Sequence, residues 1–317
     1  MKRIVSVIAV AVLAVFNLHF STLSAQNAEV WATLEKPFTF YLANDLGRNG
    51  YYLQKPIAEL MGEMAETVDP ECVFAAGDVH HFEGVQSIND PLWMTNYELI
   101  YSHPDLMIDW FPVLGNHEYR GNTTAVLDYS AVSRRWDMPA RYYTKVFESD
   151  EVSVRFVLID TAPLIDKYRT ESDIYPDACR QDLDAQLVWL DSVLTAAHED
   201  WLVVIGHHPI YADTPKDDSE RADMQARVDP ILRRHNVDIY ACGHIHNFQH
   251  VRVEGSDIDY VVNSSASKAR EVNPIEGTRY CSPAEGFSVI GVDANELTLT
   301  MIDNTGTPIY TVRRTKK

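Results

Sequence analysis

The sequence predicts an α/β fold, and three observations carry the prediction. After residue 26, short apolar strand-like segments alternate with amphipathic helical ones. Polar residues able to bind metal gather where those strands end. The C-terminal stretch is rich in strands. Open α/β sheets form their sites outside the carboxyl ends of strands, so the second observation bears on function as well.

Taken in order, Phe38 to Leu42 has the period of a strand, broken by Asp45-Leu46-Gly47-Arg48-Asn49-Gly50. Ile57, Leu60, Met61, Met64 and Val68 recur at helical spacing, with Pro56 near the first turn, where a missing N–H costs least. Cys72 to Ala76 and Trp110 to Leu114 read as buried strands, and Val154 to Ile159 as a third. Leu183, Leu187, Leu190, Leu194 and Ala197 place an apolar stripe on one helix face. Trp201 to Ile205 is the next strand, a helix follows over Ala226 to Leu232, and Val237 to Tyr240 returns to strand. Beyond Tyr260-Val261-Val262 come strands at Phe287–Val292, Leu297–Ile302 and Ile309–Val312, the last two joined by a turn at Asn304-Thr305-Gly306. No repeat or linker interrupts this pattern, so residues 27–317 are expected to form one domain.

The 317 residues are 46% hydrophobic and 23% charged, ordinary for a globular chain with a large core. A net charge of -19 argues against sequence-independent nucleic-acid binding, which needs clustered Lys and Arg. Lys2 and Arg3 precede an apolar run from Ile4 to Phe16, and Ser24-Ala25-Gln26 offers small residues for cleavage. Residues 1–25 therefore read as a signal peptide, and the run is short for a membrane span. The mature chain is expected to be exported, without stable membrane insertion, and monomeric.

Export permits disulfides. Cys72 and Cys242 lie in strand-like segments and read as buried small hydrophobes. Cys179 and Cys281 lie in polar loops and are the pair expected to bridge, although four cysteines allow three pairings and sequence does not choose.

Five segments carry the chemistry: Asp45-Leu46-Gly47, Gly77-Asp78-Val79-His80-His81, Gly115-Asn116-His117-Glu118, Gly206-His207-His208-Pro209 and Gly243-His244-Ile245-His246. A lone Gly-Asp is usually a turn or a helix cap, and a lone Asn-His is usually a turn. Together they offer two carboxylates, an amide oxygen and several imidazoles, a donor set suited to two adjacent metal ions and phosphate-ester hydrolysis. Asp78 has two oxygens with which to bridge two ions. His244 and His246, two apart after an apolar strand, face the same side of an extended backbone and can converge on neighbouring ions. His208 reads as a satisfied neighbour rather than a ligand.

At these residues the chain resembles the metallophosphoesterase (calcineurin-like) superfamily, and within it the small mammalian-type purple acid phosphatases. Phe82 to Asp90, Tyr129-Ser130 through Arg134-Arg135-Trp136, and Gln186-Leu187-Val188-Trp189-Leu190 also resemble that branch. The resemblance implies a two-sheet β-sandwich flanked by helices with metals at strand carboxyl ends, and a phosphatase acting on small phosphorylated substrates. It implies one metal held by Asp45, Asp78 and His246, and another by Asp78, Asn116, His207 and His244, with His117 contacting the phosphoryl group and protonating the leaving oxygen.

Two departures stand out. His81 occupies the place of the tyrosine whose phenolate holds ferric iron in purple acid phosphatases, and Gly47 stands where most other metallophosphoesterases have a histidine. His81 is the available replacement ligand. A neutral imidazole in place of a phenolate favours a divalent pair, drawn from iron, zinc or manganese, and a protein without purple colour. The second departure is the loop Tyr211 to Lys216, which lacks the substrate-side histidine of the mammalian-type enzymes; Lys216 could meet the phosphate electrostatically but reads there first as a solvated surface lysine. Metal ligands do not select the leaving group, so a phosphodiesterase, nucleotidase or nucleotide pyrophosphatase is the competing expectation. A catalytically weak metal-dependent binding protein is a third.

Overall fold

Thirteen strands in two sheets frame the chain in the computed structural model, which describes residues 27–316. The expected signal peptide, residues 1–25, lies outside the described residues. The first sheet contains β1 (Phe38–Ala43), β2 (Cys72–Ala75), β3 (Asp109–Pro112), β11 (Gly286–Val292), β12 (Glu296–Asp303) and β13 (Pro308–Thr315). Its order is β13-β12-β11-β1-β2-β3. The second contains β4 (Tyr143–Glu148), β5 (Ser153–Leu158), β6 (Trp201–Ile205), β7 (Ile239–Cys242), β8 (Phe248–Val251), β9 (Asp259–Val262) and β10 (Thr278–Ser282). Its order is β10-β8-β9-β7-β6-β5-β4.

The central strands of both sheets are parallel, and this positions the site. β1 pairs with β2 and β2 with β3, so that Ala43, Ala75 and Pro112 end at one level. In the other sheet β5, β6, β7 and β9 run parallel, bringing Leu158, Ile205 and Ala241 level. An isolated bridge from Asn44 to Ser265 joins the two strand-end layers. The sheets pack through alternate residues: Phe40 and Phe74 of the first meet Phe156 of the second, with ring centroids 4.9 and 4.2 Å apart. Each such ring contributes roughly 2–3 kcal/mol by leaving water. On the other face of β1, Tyr41 donates its hydroxyl hydrogen to Met61 O at 3.1 Å. Met61 belongs to α1 (Gln54–Val68), which buries Ile57, Met61, Met64 and Val68 against that face.

The expected α/β class and two-sheet sandwich are what the structure contains. Two short helices, α2 (Thr123–Asp128) and α3 (Asp166–Thr170), precede α4 (Leu183–Thr195), which buries Leu190 and Leu194 of the expected stripe. The helix expected near Ala226 to Leu232 is two helices, α5 (Asp218–Arg227) and α6 (Asp229–Arg234). They meet at Val228, where Pro230 occupies the first turn of the second. The expected disulfide requires correction. All four cysteines are free. Cys179 sits exposed on a single 3-10 turn with its sulfur 3.8 Å from Pro176 O, while Cys281 lies on β10, opposite Gln249 at the sheet edge. Separate elements hold the two thiols, and no bond joins them.

Candidate metal centre

The strand ends do not run on as loops of ordinary geometry. Asp45, Asp78, His244 and His246 all adopt positive φ, from 52° to 72°, and Gly77 is at 88°. Non-glycine residues rarely take this region, and its concentration at one place is typical of a functional site. The turns aim carboxylates and imidazoles back across the strand ends. They also correct one expectation: His244 and His246 are not brought together by an extended backbone. Residues 244–247 form a bend, and the two left-handed residues send their rings to different neighbours.

The resulting pocket brings six of the seven expected metal residues, together with His117, to within a few ångströms of one another. His246 Nε2 lies 2.9 Å from Asp45 Oδ1. His207 Nε2 lies 3.2 Å from Asp78 Oδ2 and 3.1 Å from His244 Nδ1. His81 Nε2 stands between the carboxylates, 3.5 Å from Asp78 and 4.0 Å from Asp45. His117 Nε2 is 3.9 Å from Asp78 Oδ2. Asn116, the seventh, follows Gly115, whose Cα would carry a Cβ straight into the Asp78 carboxylate, so only glycine fits there. The Asn116 amide oxygen is buried and without a partner.

Tautomers follow from the outer hydrogen bonds. Carbonyl oxygens only accept, so Nδ1–H of His207, His246 and His117 donates to Ala76 O at 2.8 Å, Lys268 O at 2.8 Å and Phe82 O at 2.6 Å. Each Nε2 then faces a carboxylate oxygen, either as an N–H, the form His207 takes beside Asp78, or as a lone pair when a metal is bound. Lone pairs facing at this range repel unless positive charge stands between them. Asp45 Oδ1, Asn116 Oδ1 and both His81 nitrogens are buried without a hydrogen-bond partner, the signature of a donor set shaped for cations. The residues present therefore fit two metal ions with nitrogen and oxygen ligands.

The electrostatics agree. Burial would raise the Asp45 and Asp78 carboxyls, but His246 beside Asp45 and His207 beside Asp78 hold both well below the usual range. Burial would lower His207, yet the Asp78 charge overrides it and pushes His207 up to about 9. The pocket draws positive charge, as a proton or as a metal. His81 goes the other way: burial holds it well below an ordinary histidine, leaving a neutral ring.

Several supporting roles appear only in the folded chain. Glu118 accepts from the backbone N–H of Asp78 and Gly115, each at 2.8 Å, and of His80 at 3.0 Å, clamping two ligand loops together. Burial pushes its carboxyl up to about 7. Glu220, on α5, takes His244 Nε2 at 2.9 Å, which leaves Nδ1 of that ring turned toward His207. Lys216 is not the solvated lysine expected. Its Nζ lies 2.7 Å from His244 Nε2, and burial lowers it to about 8. The loop from Ile210 to Lys216 folds back over the pocket, fastened where Asp213 and Gln249 exchange hydrogen bonds of 2.7 and 2.9 Å. His208 has both ring nitrogens engaged by hydroxyls, Thr161 at 2.7 Å and Tyr168 at 3.0 Å, so it lies against His244 without a free donor atom.

Comparison with known proteins gives the arrangement a lineage. Residues 38–248 match the family model of the calcineurin-like phosphoesterases. Purple acid phosphatase 3 of Arabidopsis thaliana is 30% identical over 319 residues, spanning 96% of this chain and 84% of the relative. Human tartrate-resistant acid phosphatase type 5 is 30% identical over 269 residues, spanning 79% and 82%. Among solved structures, a dimetal phosphatase from Danio rerio superposes with a TM-score of 0.62 at 18% identity, covering 89% of this chain and 99% of that one. GAP50, described as the anchor in the inner membrane complex of Plasmodium, gives 0.75 at 22% identity, covering 88% and 89%. These two likenesses speak to the fold. With the family model and the curated relatives in agreement, this chain belongs to the calcineurin-like phosphoesterase family, in its purple acid phosphatase branch, and is a dinuclear metallophosphatase.

Proposed function

We propose that this protein is an exported phosphomonoesterase, cleaved after its signal peptide (residues 1–25) and working as a monomer with residues 27–317 as one catalytic domain. One ion would be held by Asp45, Asp78, His81 and His246, the other by Asp78, Asn116, His207 and His244. The observation that carries this is the set of imidazole nitrogens facing buried carboxylate oxygens, above all His246 to Asp45 at 2.9 Å and His207 to Asp78 at 3.2 Å. When bound, the two ions neutralise phosphate charge and lower the pKa of the attacking water toward about 7. A divalent pair (iron, zinc or manganese) is favoured because His81 supplies an imidazole where a phenolate would otherwise stabilise a trivalent ion.

The chain's own residues orient the substrate and move the proton. His117 is anchored through Nδ1 to Phe82 O, and its backbone N–H donates to Asp78 Oδ1 at 2.9 Å, so Nε2 is held facing the pocket. Its side chain is 14% exposed, open enough to collect a proton from water and deliver it to the departing oxygen. Among the described residues no helix is long and apolar enough to cross a membrane. The experiment is reconstitution with each candidate metal, followed by turnover of p-nitrophenyl phosphate against its bis ester. Monoester turnover exceeding diester turnover supports the proposal; the reverse order would assign a phosphodiesterase.

A further inference from the structure

Arg48 follows Asp45 by three residues and is only 7% exposed. Its Nε is buried without a partner, and among the described residues no hydrogen bond or ion pair of its side chain is found. The position is fixed rather than incidental. Gln54 Oε1 accepts from the backbone N–H of Arg48 at 3.0 Å and of Gly50 at 2.8 Å, and Asn96 Oδ1 accepts from Asn49 at 2.6 Å. Above the guanidinium, 4.8 Å away, lies the ring of Phe82. That residue follows His81 and lends its carbonyl to His117. The guanidinium thus sits behind an aromatic cover, beside the pocket that holds both histidines.

Burial strips part of the guanidinium's hydration at Nε, and no protein acceptor replaces it. The carboxylates whose charge reaches Arg48, Asp45 and Asp78, are turned toward His246 and His207. We propose that Arg48 is the fixed protein cation for the substrate's phosphate, and that it favours a dianionic monoester over a monoanionic diester. The planar fork matches two phosphate oxygens, and its attraction scales with the charge it meets. This rests on the phosphomonoesterase reading above and names the residue that gives it selectivity.

The test uses the metal-loaded full chain and inorganic phosphate. Calorimetry on Arg48→Met should show phosphate affinity about tenfold weaker with metal content unchanged, and Arg48→Lys should recover part of it. In the same variants the ratio of monoester to diester kcat/KM should fall with Arg48→Met. Unchanged phosphate affinity, or loss of metal in parallel with phosphate in both variants, would overturn the assignment. Phosphate bound by way of Arg48 in a protein that turns over no monoester would sink the enzymatic reading and leave the anion site standing. Should Arg48→Met fail to fold, Arg48→Lys decides alone, since phosphate affinity equal to the parent's would exclude the fork.

Discussion

His81 stands between Asp45 and Asp78 with both ring nitrogens unpartnered, and by the resemblance it is expected to take the place of a tyrosine of the purple acid phosphatases. Iron-loaded wild-type protein is expected to lack an intense visible band, and His81→Tyr to gain one; absorbance spectra of the two decide it. Asp78 and His117 separate binding from turnover. Asp78→Ala should lose metal and activity together. His117→Ala should keep its metal, measured by elemental analysis, while kcat falls by about 10²–10⁴-fold. Asp78→Ala with both metals and full activity would refute the assignment. The identities of these side chains were legible because glycine-flanked Asp, Asn and His at strand ends are chemically conspicuous. Lys216, Glu220 and Arg48 were not, since a charged residue in a polar loop or on a polar helix looks solvated until the chain is folded.

At the scale of elements, glycines and one buried carboxylate decide whether the strand ends converge. Gly77 has φ of 88°, and a Cβ there would sit 2.5 Å from His207 Nδ1. Gly77→Ala is therefore expected to lower both thermal stability and metal affinity, read by melting with and without metal; an unchanged melting point would contradict the crowding. Glu118→Ala leaves three buried N–H groups without acceptors and should cost about 3 kcal/mol or more, measured by denaturant unfolding. The long periodic helices and the apolar strands were readable from spacing. β4, β8 and β10 were not. β8 is buried throughout yet reads Phe-Gln-His-Val, and β10 is a half-exposed edge, so neither shows the alternation that marks a strand.

Over the whole molecule, the two sheets are joined by polar contacts as well as by the aromatic core. Asp259 on β9 receives His250 Nε2 at 2.7 Å, the guanidinium of Arg252, and Arg314 of β13 at 3.3 Å, which spans from one sheet to the other. Burial alone would raise Asp259, but Arg252 and His250 bring it down to about 2 from an ordinary 3.8. Because the folded value is depressed, the stabilisation is present above about pH 4 and is lost as the pH falls through about 2. Asp259→Asn should therefore cost on the order of 2 kcal/mol near neutrality, with the gap to wild type closing in acid. Equal gaps at pH 6 and pH 3 in urea unfolding would rule the linkage out.

Periodicity and residue type are local properties, and they were enough to establish the α/β class, the succession of central strands and helices, and which side chains have metal chemistry. It took the folded chain to establish that Asp45, Asp78, His81, His207, His244 and His246 share one pocket, that Cys179 and Cys281 stay apart, and that Arg48 and Lys216 lie against the site. Those outcomes depend on parallel registers and left-handed turns that join distant segments. Asp45 and His244 meet across a separation of 199 residues, over which no local pattern carries information.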